Sequence, residues 1–147
     1  MFLFLLSIFI QVYPDSVSTY VFSNDGREGS ITFHSGTVIT YYNNLMVYAS
    51  LSMETMIQGI PCIGVAEFYR ESRSLRKCFL YRDIEINGFP IRGKSIITFH
   101  DFPINIHQPI LKSGLLDRKF KIGYYWRQEG FRVNLDEFGN PINRYGG

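Results

Sequence analysis

Two cysteines and three histidines are the side chains in this sequence with the greatest capacity for chemistry. Cys62 and Cys78 permit one disulfide if the chain is exported, and the equal alternative is a pair of buried apolar thiols. Their spacing does not match a zinc knuckle, and no histidine pair lies near them. A catalytic thiol would also need an activating group such as a helix N-terminus, which the pattern does not offer. The cysteines therefore predict a structural role.

The histidines follow a pattern that favours packing over metal binding. His34 and His100 end two "ITFH" segments, and Tyr69 takes the matching place in "VAEFY". His and Tyr both present a ring with a polar tip, so this position predicts a half-buried aromatic platform. His107 belongs to no such pattern. The sequence thus predicts no metal and no cofactor.

Closely spaced acids do not form a catalytic pair either. Asp83 and Glu85 lie two residues apart in an alternating segment, which places both on one solvated face of a strand. No phosphate-binding loop, dinucleotide fingerprint or nucleophile elbow occurs. We therefore expect no catalytic residues and a protein that is not an enzyme.

Composition points to one β-rich domain. The chain has 147 residues, with 13 Phe and 10 Tyr, and 19% of residues are charged. Aromatic and β-branched residues favour strands. A net charge of +2 gives no clustered basic face, so no nucleic-acid partner is expected.

The N-terminal segment differs from the rest of the chain. "MFLFLLSIFI" has the length of a signal-peptide core and is too short to cross a bilayer. Residues 1–18 are therefore interpreted as a signal peptide or an apolar N-terminal segment, with a buried first strand as the alternative. No integral membrane span is expected.

Internal similarity suggests repeated β-structure. "LSMETMIQG" at 51–59 matches "LYRDIEING" at 80–88, with a weaker copy in "LDRKFKIG" at 116–123. Glycine supplies the positive φ of tight turns, and proline interrupts a sheet ladder. The Gly-x-Pro steps at Gly59–Pro61 and Gly88–Pro90 are therefore interpreted as corners between hairpins, with Gly123 as a third corner that has lost the proline. Segment 43–59 also has some helical spacing and is assigned to a strand by analogy with its repeat partner.

The combination "IQGIPC" (57–62), "EFY" (67–69), "SLRKCFL" (74–80) and "DIEING" (83–88) resembles bacterial β-repeat proteins with units of about thirty residues. These are MORN-like and YwqK-type antitoxin-like hairpin repeats. The family's Asn-Gly hairpin turn is replaced here by "RESRS" (70–74) and "DFPINIHQP" (101–109). The resemblance implies an all-β fold of stacked antiparallel β-hairpin repeats in an elongated or rolled sheet. A single domain would span 19–147, with units 29–63, 64–93 and 94–123 and a C-terminal cap at 124–147.

The C-terminal stretch is rich in aromatic residues mixed with arginine. Tyr124, Tyr125, Trp126, Arg127 and Phe131 have the composition of a binding hot spot, and the alternative is an aromatic cap over the last unit. The resulting hypothesis is a non-enzymatic exported scaffold, secreted, periplasmic or associated with the cell envelope, that binds a protein or envelope partner. The alternative is a cytoplasmic antitoxin-like or immunity-like inhibitor.

Overall fold

The computed structural model describes residues 15–101 and 108–142 of the chain. Within these ranges, β-strands are the only regular elements, so the all-β prediction is confirmed. Most of the predicted N-terminal segment, His107 and the last residues of the predicted cap lie outside the described residues. The strands are β1 (Val17–Val21), β2 (Gly26–Glu28), β3 (Ile31–Phe33), β4 (Val38–Tyr42), β5 (Leu45–Ile57), β6 (Ile60–Phe68), β7 (Leu75–Leu80), β8 (Ile84–Ile86), β9 (Phe89–Ile91), β10 (Ser95–Phe99), β11 (Leu111–Leu115), β12 (Phe120–Ile122), β13 (Tyr125–Arg127) and β14 (Arg132–Asn134).

Eight strands form one large antiparallel sheet in the order β1-β4-β5-β6-β7-β10-β11-β14. Three short hairpins, β2–β3, β8–β9 and β12–β13, are inserted between successive strands of this sheet. The tip of the β5–β6 hairpin continues the large sheet past a register shift between Leu51 and Thr55. In the described part of the chain, no helix is long and apolar enough to cross a membrane.

The segment with ambiguous helical spacing is the long strand β5. Met46, Ala49 and Leu51 are buried, and Ser50 and Ser52 between and beyond them are exposed. The turn into this strand is made by Asn43 and Asn44, which have φ of 48° and 63°. Asparagine tolerates this left-handed conformation, which two-residue hairpin turns with the twist of a sheet require.

The β5–β6 and β8–β9 hairpins turn at the repeated glycines. Gln58 and Gly59 have φ of 50° and 81°, and Asn87 and Gly88 have φ of 51° and 85°. Paired left-handed residues are the mark of a type I′ turn, for which Asn-Gly is the preferred sequence. The chain therefore has an Asn-Gly hairpin turn at 87–88, at a different place from the loops 70–74 and 101–109.

Pro61 and Pro90 lie inside strands β6 and β9 and not at corners between hairpins. The Pro61 carbonyl accepts a hydrogen bond from the Tyr81 N–H (2.9 Å), and the Pro90 carbonyl accepts one from the Asp117 N–H (3.0 Å). At both positions the proline acts only as an acceptor, through its carbonyl. The N–H that proline lacks is therefore not needed for these hydrogen bonds.

Two side-chain hydrogen bonds indicate that the hairpins fold back over one face of the large sheet. Gln58 Oε1 accepts from the Leu75 N–H at 2.9 Å, although the sheet register places Leu75 opposite Phe68 at the far end of β6. Asn87 Oδ1 accepts from the Leu111 N–H at 2.6 Å in the same way. A hairpin tip can reach the first residue of such a later strand only if the hairpin bends back. In β6 the bend falls near Gly64, whose φ is +71°.

The core lies between the sheet and the folded hairpins. Hairpin residues such as Ile57, Ile60, Ile86 and Ile91 are fully buried in one hydrophobic cluster with the sheet residues. The sheet residues that share this cluster include Ile39, Ala49, Ala66, Leu75, Cys78, Leu80, Ile97, Phe99 and Leu111. Burial of apolar surface on both sides of this layer is the main stabilising contribution to the fold.

The two "ITFH" segments occupy different elements. Phe33 lies in β3 of a short hairpin, and Phe99 lies in β10 of the large sheet. Both rings are fully buried, so the alternation of apolar residues is the same in the two layers. Sequence similarity at 31–34 and 97–100 therefore reflects a shared strand pattern and not a shared position.

Candidate functional site: the β12–β13 hairpin

The hairpin β12–β13 carries three consecutive exposed aromatic residues. Gly123 and Tyr124 form its turn, and Gly123 has φ of 61°. The exposed fractions of Tyr124, Tyr125 and Trp126 are 93%, 67% and 60%. Rings of this size are usually at least half buried in a folded domain, so the tip of this hairpin is an apolar surface without a cover among the described residues.

Cationic side chains lie beside these rings. The Arg127 guanidinium is 5.5 Å from the centroid of the Tyr125 ring and 4.8 Å from that of Phe131. Lys119 Nζ is 5.4 Å from the centroid of the Trp126 ring. Such cation–π contacts hold the rings in defined orientations at a modest gain of about 0.5–1 kcal/mol each at exposed sites. The five residues predicted as partner-binding are therefore brought into one hairpin and its base.

The charge of this hairpin is one-sided. Residues 118–127 include the cations Arg118, Lys119, Lys121 and Arg127 and contain no acid. Asp117 precedes the segment and lies 3.4 Å from the Arg118 guanidinium. The surface thus combines exposed aromatic rings with arginine, residue types that are enriched in protein interfaces, and with lysines of the same charge.

In the hairpins β2–β3, β5–β6 and β8–β9, the residue that comes after the turn is buried or partly buried. Ile31 and Ile60 are buried at this position, and Phe89 is partly buried against the Phe120 ring, with 5.8 Å between centroids. In β12–β13 the corresponding residue is the exposed Tyr125. The aromatic content of the C-terminal stretch is visible in the sequence, but its exposure depends on which elements pack over the hairpin.

The two cysteines lie on neighbouring strands of the core. Cys62 in β6 is paired with Leu80, and Cys78 in β7 is paired with Ala66, so the two residues are diagonal neighbours. Both thiols are free and buried. A hydrogen bond with the Cys78 thiol, together with burial, raises the pKa of the Cys62 thiol. A buried thiol without a cationic partner is a poor nucleophile, and the disulfide stays a prediction.

The histidines make separate, local contacts. His100 Nε2 donates to the Leu135 carbonyl at 2.7 Å, and the Tyr69 hydroxyl donates to the Phe99 carbonyl at 2.8 Å. His34 Nδ1 lies 3.4 Å from an oxygen of Asp25. The pKa of that carboxyl is lowered mainly by the hydrogen bond from the Ser35 N–H and secondarily by His34. Within the described residues, no group of histidine, cysteine and acidic side chains could hold a metal ion.

A shallow groove of about 400 Å³ lies at the far ends of β5 and β6, and its charges are already engaged. Glu67 pairs with Lys77 at 3.6 Å, and the Arg76 guanidinium lies 5.7 Å from the centroid of the Tyr69 ring. The groove is lined by Val47, Tyr48, Glu67, Phe68, Tyr69, Arg70 and Arg76.

Asp83, one of the two closely spaced acids, accepts the Gly93 N–H at 2.6 Å, which fixes a loop.

Comparison of this chain with models of protein families, with curated proteins and with solved structures finds no match. The functional argument therefore rests on the geometry of the β12–β13 hairpin.

Proposed function

We propose that this protein is a non-enzymatic scaffold built from repeated strand–hairpin–strand units, and that the β12–β13 hairpin is its partner-binding surface. The observation that carries the proposal is the exposure of Tyr124, Tyr125 and Trp126 beside Lys119 and Arg127. The expected partner is a protein or a component of the cell envelope.

Recurring contacts support the repeat architecture. The turn residues Gln58 and Asn87 each accept a backbone N–H from the first residue of a later strand of the large sheet, Leu75 of β7 and Leu111 of β11. The rings of Tyr69 and His100 each donate to a carbonyl at the end of the following unit. On this basis we propose units at 17–42, 45–68, 75–99 and 111–134, whose bounds differ from the units 29–63, 64–93 and 94–123 suggested by the sequence. Contacts that recur in successive units are expected when stacked neighbours share one core.

The similarity to MORN-like and YwqK-type hairpin repeats is compatible with this architecture but implies no activity. A binding role is instead favoured by the contrast between hairpins. No later hairpin of the described residues packs over β12–β13, so selection for solubility alone would place polar residues there. Three exposed rings at that place are better explained by contact with a partner.

The compartment separates the two candidate functions. The apolar N-terminal sequence favours export, as for an envelope scaffold, and an intracellular inhibitor would keep it. The intact mass of the protein from its native cells tests this directly. A mass lacking an N-terminal segment that ends before β1 at Val17 supports export, and a full-length mass supports the antitoxin-like alternative. Alkylation of Cys62 and Cys78 in the unfolded chain, with and without reduction, tests whether the two form a disulfide.

The binding surface is tested by affinity capture from solubilised envelope fractions. The double substitution Tyr124→Ser and Trp126→Ser should abolish capture of a partner that the wild-type chain retains. Met53→Ser is the matched control, because Met53 is an exposed apolar residue of β5 with 56% of its surface accessible. Equal capture by all three chains would contradict the assignment of the hairpin.

A further inference from the structure

The strand β1 is an edge of the large sheet with a neighbour on one side only among the described residues. All five of its residues, VSTYV, are exposed. Val17 and Val21 are 68% and 59% accessible, and the strand contains neither a charge nor a proline. Edge strands of soluble proteins usually carry charged residues or a proline, because these residues prevent pairing with another strand.

The direction of the backbone groups in β1 is fixed by its pairing with β4. The Asn43 N–H donates to the Ser16 carbonyl at 2.9 Å, and the Phe22 N–H donates to the Thr37 carbonyl at 2.9 Å. Even-numbered residues therefore direct their N–H and C=O groups towards β4. Because these groups alternate along an antiparallel strand, Val17, Thr19 and Val21 direct theirs away from the sheet.

The opposite edge of the sheet is closed. The Ile142 N–H donates to the Asn134 carbonyl at 2.9 Å, and Leu135 forms a bridge with Pro141. The turn that returns the chain is fixed by Asp136, whose carboxylate accepts the N–H groups of Phe138 and Asn140 at 2.9 Å each. A proline beside the last strand leaves no donor for a further strand. A head-to-tail filament of sheets through β14 and β1 is therefore disfavoured.

We propose that β1 pairs with β1 of a second copy of this chain, in an antiparallel, two-fold symmetric dimer. The outward-facing residues are self-complementary when Thr19 lies on the symmetry axis. Thr19 then faces Thr19 of the partner, and Val17 faces Val21 of the partner, and each of these pairs exchanges two backbone hydrogen bonds. The exposed valines become cross-strand apolar pairs, a type of contact that stabilises sheets.

A second copy is the occupant that this geometry favours. The backbone N–H and C=O groups of Val17, Thr19 and Val21 that point away from the sheet are arranged symmetrically about Thr19. In the antiparallel dimer, each outward N–H of one chain therefore faces an outward C=O of the other. The absence of charge from the strand means that two identical strands meet without like-charge repulsion. A different protein could supply any strand, whereas self-pairing explains why a valine stands at both ends of the same segment.

The test is the mass of the full-length chain in solution, measured by sedimentation velocity up to high micromolar concentration. The wild-type chain should dimerise. Thr19→Pro should give a monomer, because it removes the outward N–H on the axis and no bond to β4. Thr19→Ala keeps that N–H and should dimerise like the wild type. A monomeric wild-type chain, or a Thr19→Pro chain that dimerises equally, would overturn the proposal.

Cross-linking keeps the test decisive if Thr19→Pro fails to fold. In the dimer, a cysteine at position 19 faces its own copy across the axis, and a cysteine at 18 faces Tyr20 of the partner chain. Mild oxidation by copper phenanthroline, which accepts the two electrons released when two thiols form a disulfide, should link Thr19→Cys chains into dimers and Ser18→Cys chains far less. Equal cross-linking of the two variants would also overturn it.

Discussion

The hairpins β8–β9 and β12–β13 each pair three residues on either side of a two-residue turn, yet one is buried and the other is exposed. Ile86 and Ile91 of the first are completely buried, whereas Tyr125 and Trp126 of the second are more than half exposed. The difference lies in the elements that come later in the chain. The Phe120 ring and the Asp117 N–H cover β8–β9, and no later hairpin of the described chain covers β12–β13. Coverage by elements later in the chain thus distinguishes the buried hairpin from the exposed one.

The largest expected difference concerns the isoleucine that precedes each turn. Ile86→Ala should reduce the free energy of unfolding by about 2–5 kcal/mol, because it leaves a cavity in a packed core. Ile122→Ala, at the same position of the exposed hairpin, should cost about 1 kcal/mol, since its side chain is only partly buried. Urea unfolding of both variants measures the two values. Similar losses at both sites would show that β12–β13 is as well packed as β8–β9.

A second prediction concerns the hydrogen bond between the Asn87 side chain and the Leu111 N–H, which holds the tip of β8–β9 to the sheet. Asn87→Gly keeps a residue that accepts the left-handed φ of 51° but removes the acceptor for the Leu111 N–H. Leaving that buried N–H without a partner should cost about 1–3 kcal/mol. Asn87→Asp retains the oxygen that accepts this N–H but loses the Nδ2 donor to the Pro109 carbonyl (3.4 Å), so it separates the two contacts. If the glycine variant matched the wild type in urea unfolding, the bond between hairpin tip and sheet would not stabilise the fold.

Sequence reasoning reached some of these features and missed others for physical reasons. The strand content and the turns at Gly59, Gly88 and Gly123 were predictable, because composition, alternation and glycine act locally. The folding back of the hairpins was not, since the bond from Gln58 to Leu75 joins residues that only the tertiary structure brings together. For the same reason the "ITFH" similarity was misleading, as Phe33 and Phe99 are equally buried in different layers.

The candidate site was predictable in composition but not in exposure. Tyr124, Tyr125 and Trp126 could equally have formed the inside of a cap, since spacing alone does not show which side of a hairpin is covered. The prolines of the Gly-x-Pro steps were predicted at corners between hairpins, but Pro61 and Pro90 lie within strands. A proline is tolerated in a strand where only its carbonyl is needed as an acceptor, as at these two positions.

Alanine substitution of the turn glycine should lower the free energy of unfolding by the same amount in β8–β9 and in β12–β13. Gly88 and Gly123 have φ of +85° and +61°, and a Cβ added at either would meet nothing within 4 Å. The cost of alanine there is therefore backbone strain alone, about 1 kcal/mol at each site. Thermal or urea unfolding of Gly88→Ala and Gly123→Ala provides the measurement. A much larger loss at Gly88 would mean that burial of the hairpin adds steric conflict to the strain.

The smallest expected effect on stability is at the exposed rings. Trp126→Ser should change the free energy of unfolding by less than about 0.5 kcal/mol, because the ring is 60% accessible and contacts mainly Lys119. Trp126 is the only tryptophan in the chain, so its fluorescence reports on this hairpin alone. In the isolated protein, acrylamide should quench it readily, and a bound partner should protect it. Strong destabilisation by Trp126→Ser, or a ring already protected without a partner, would mean that the aromatic residues cap the core and that β12–β13 differs from β8–β9 only in degree.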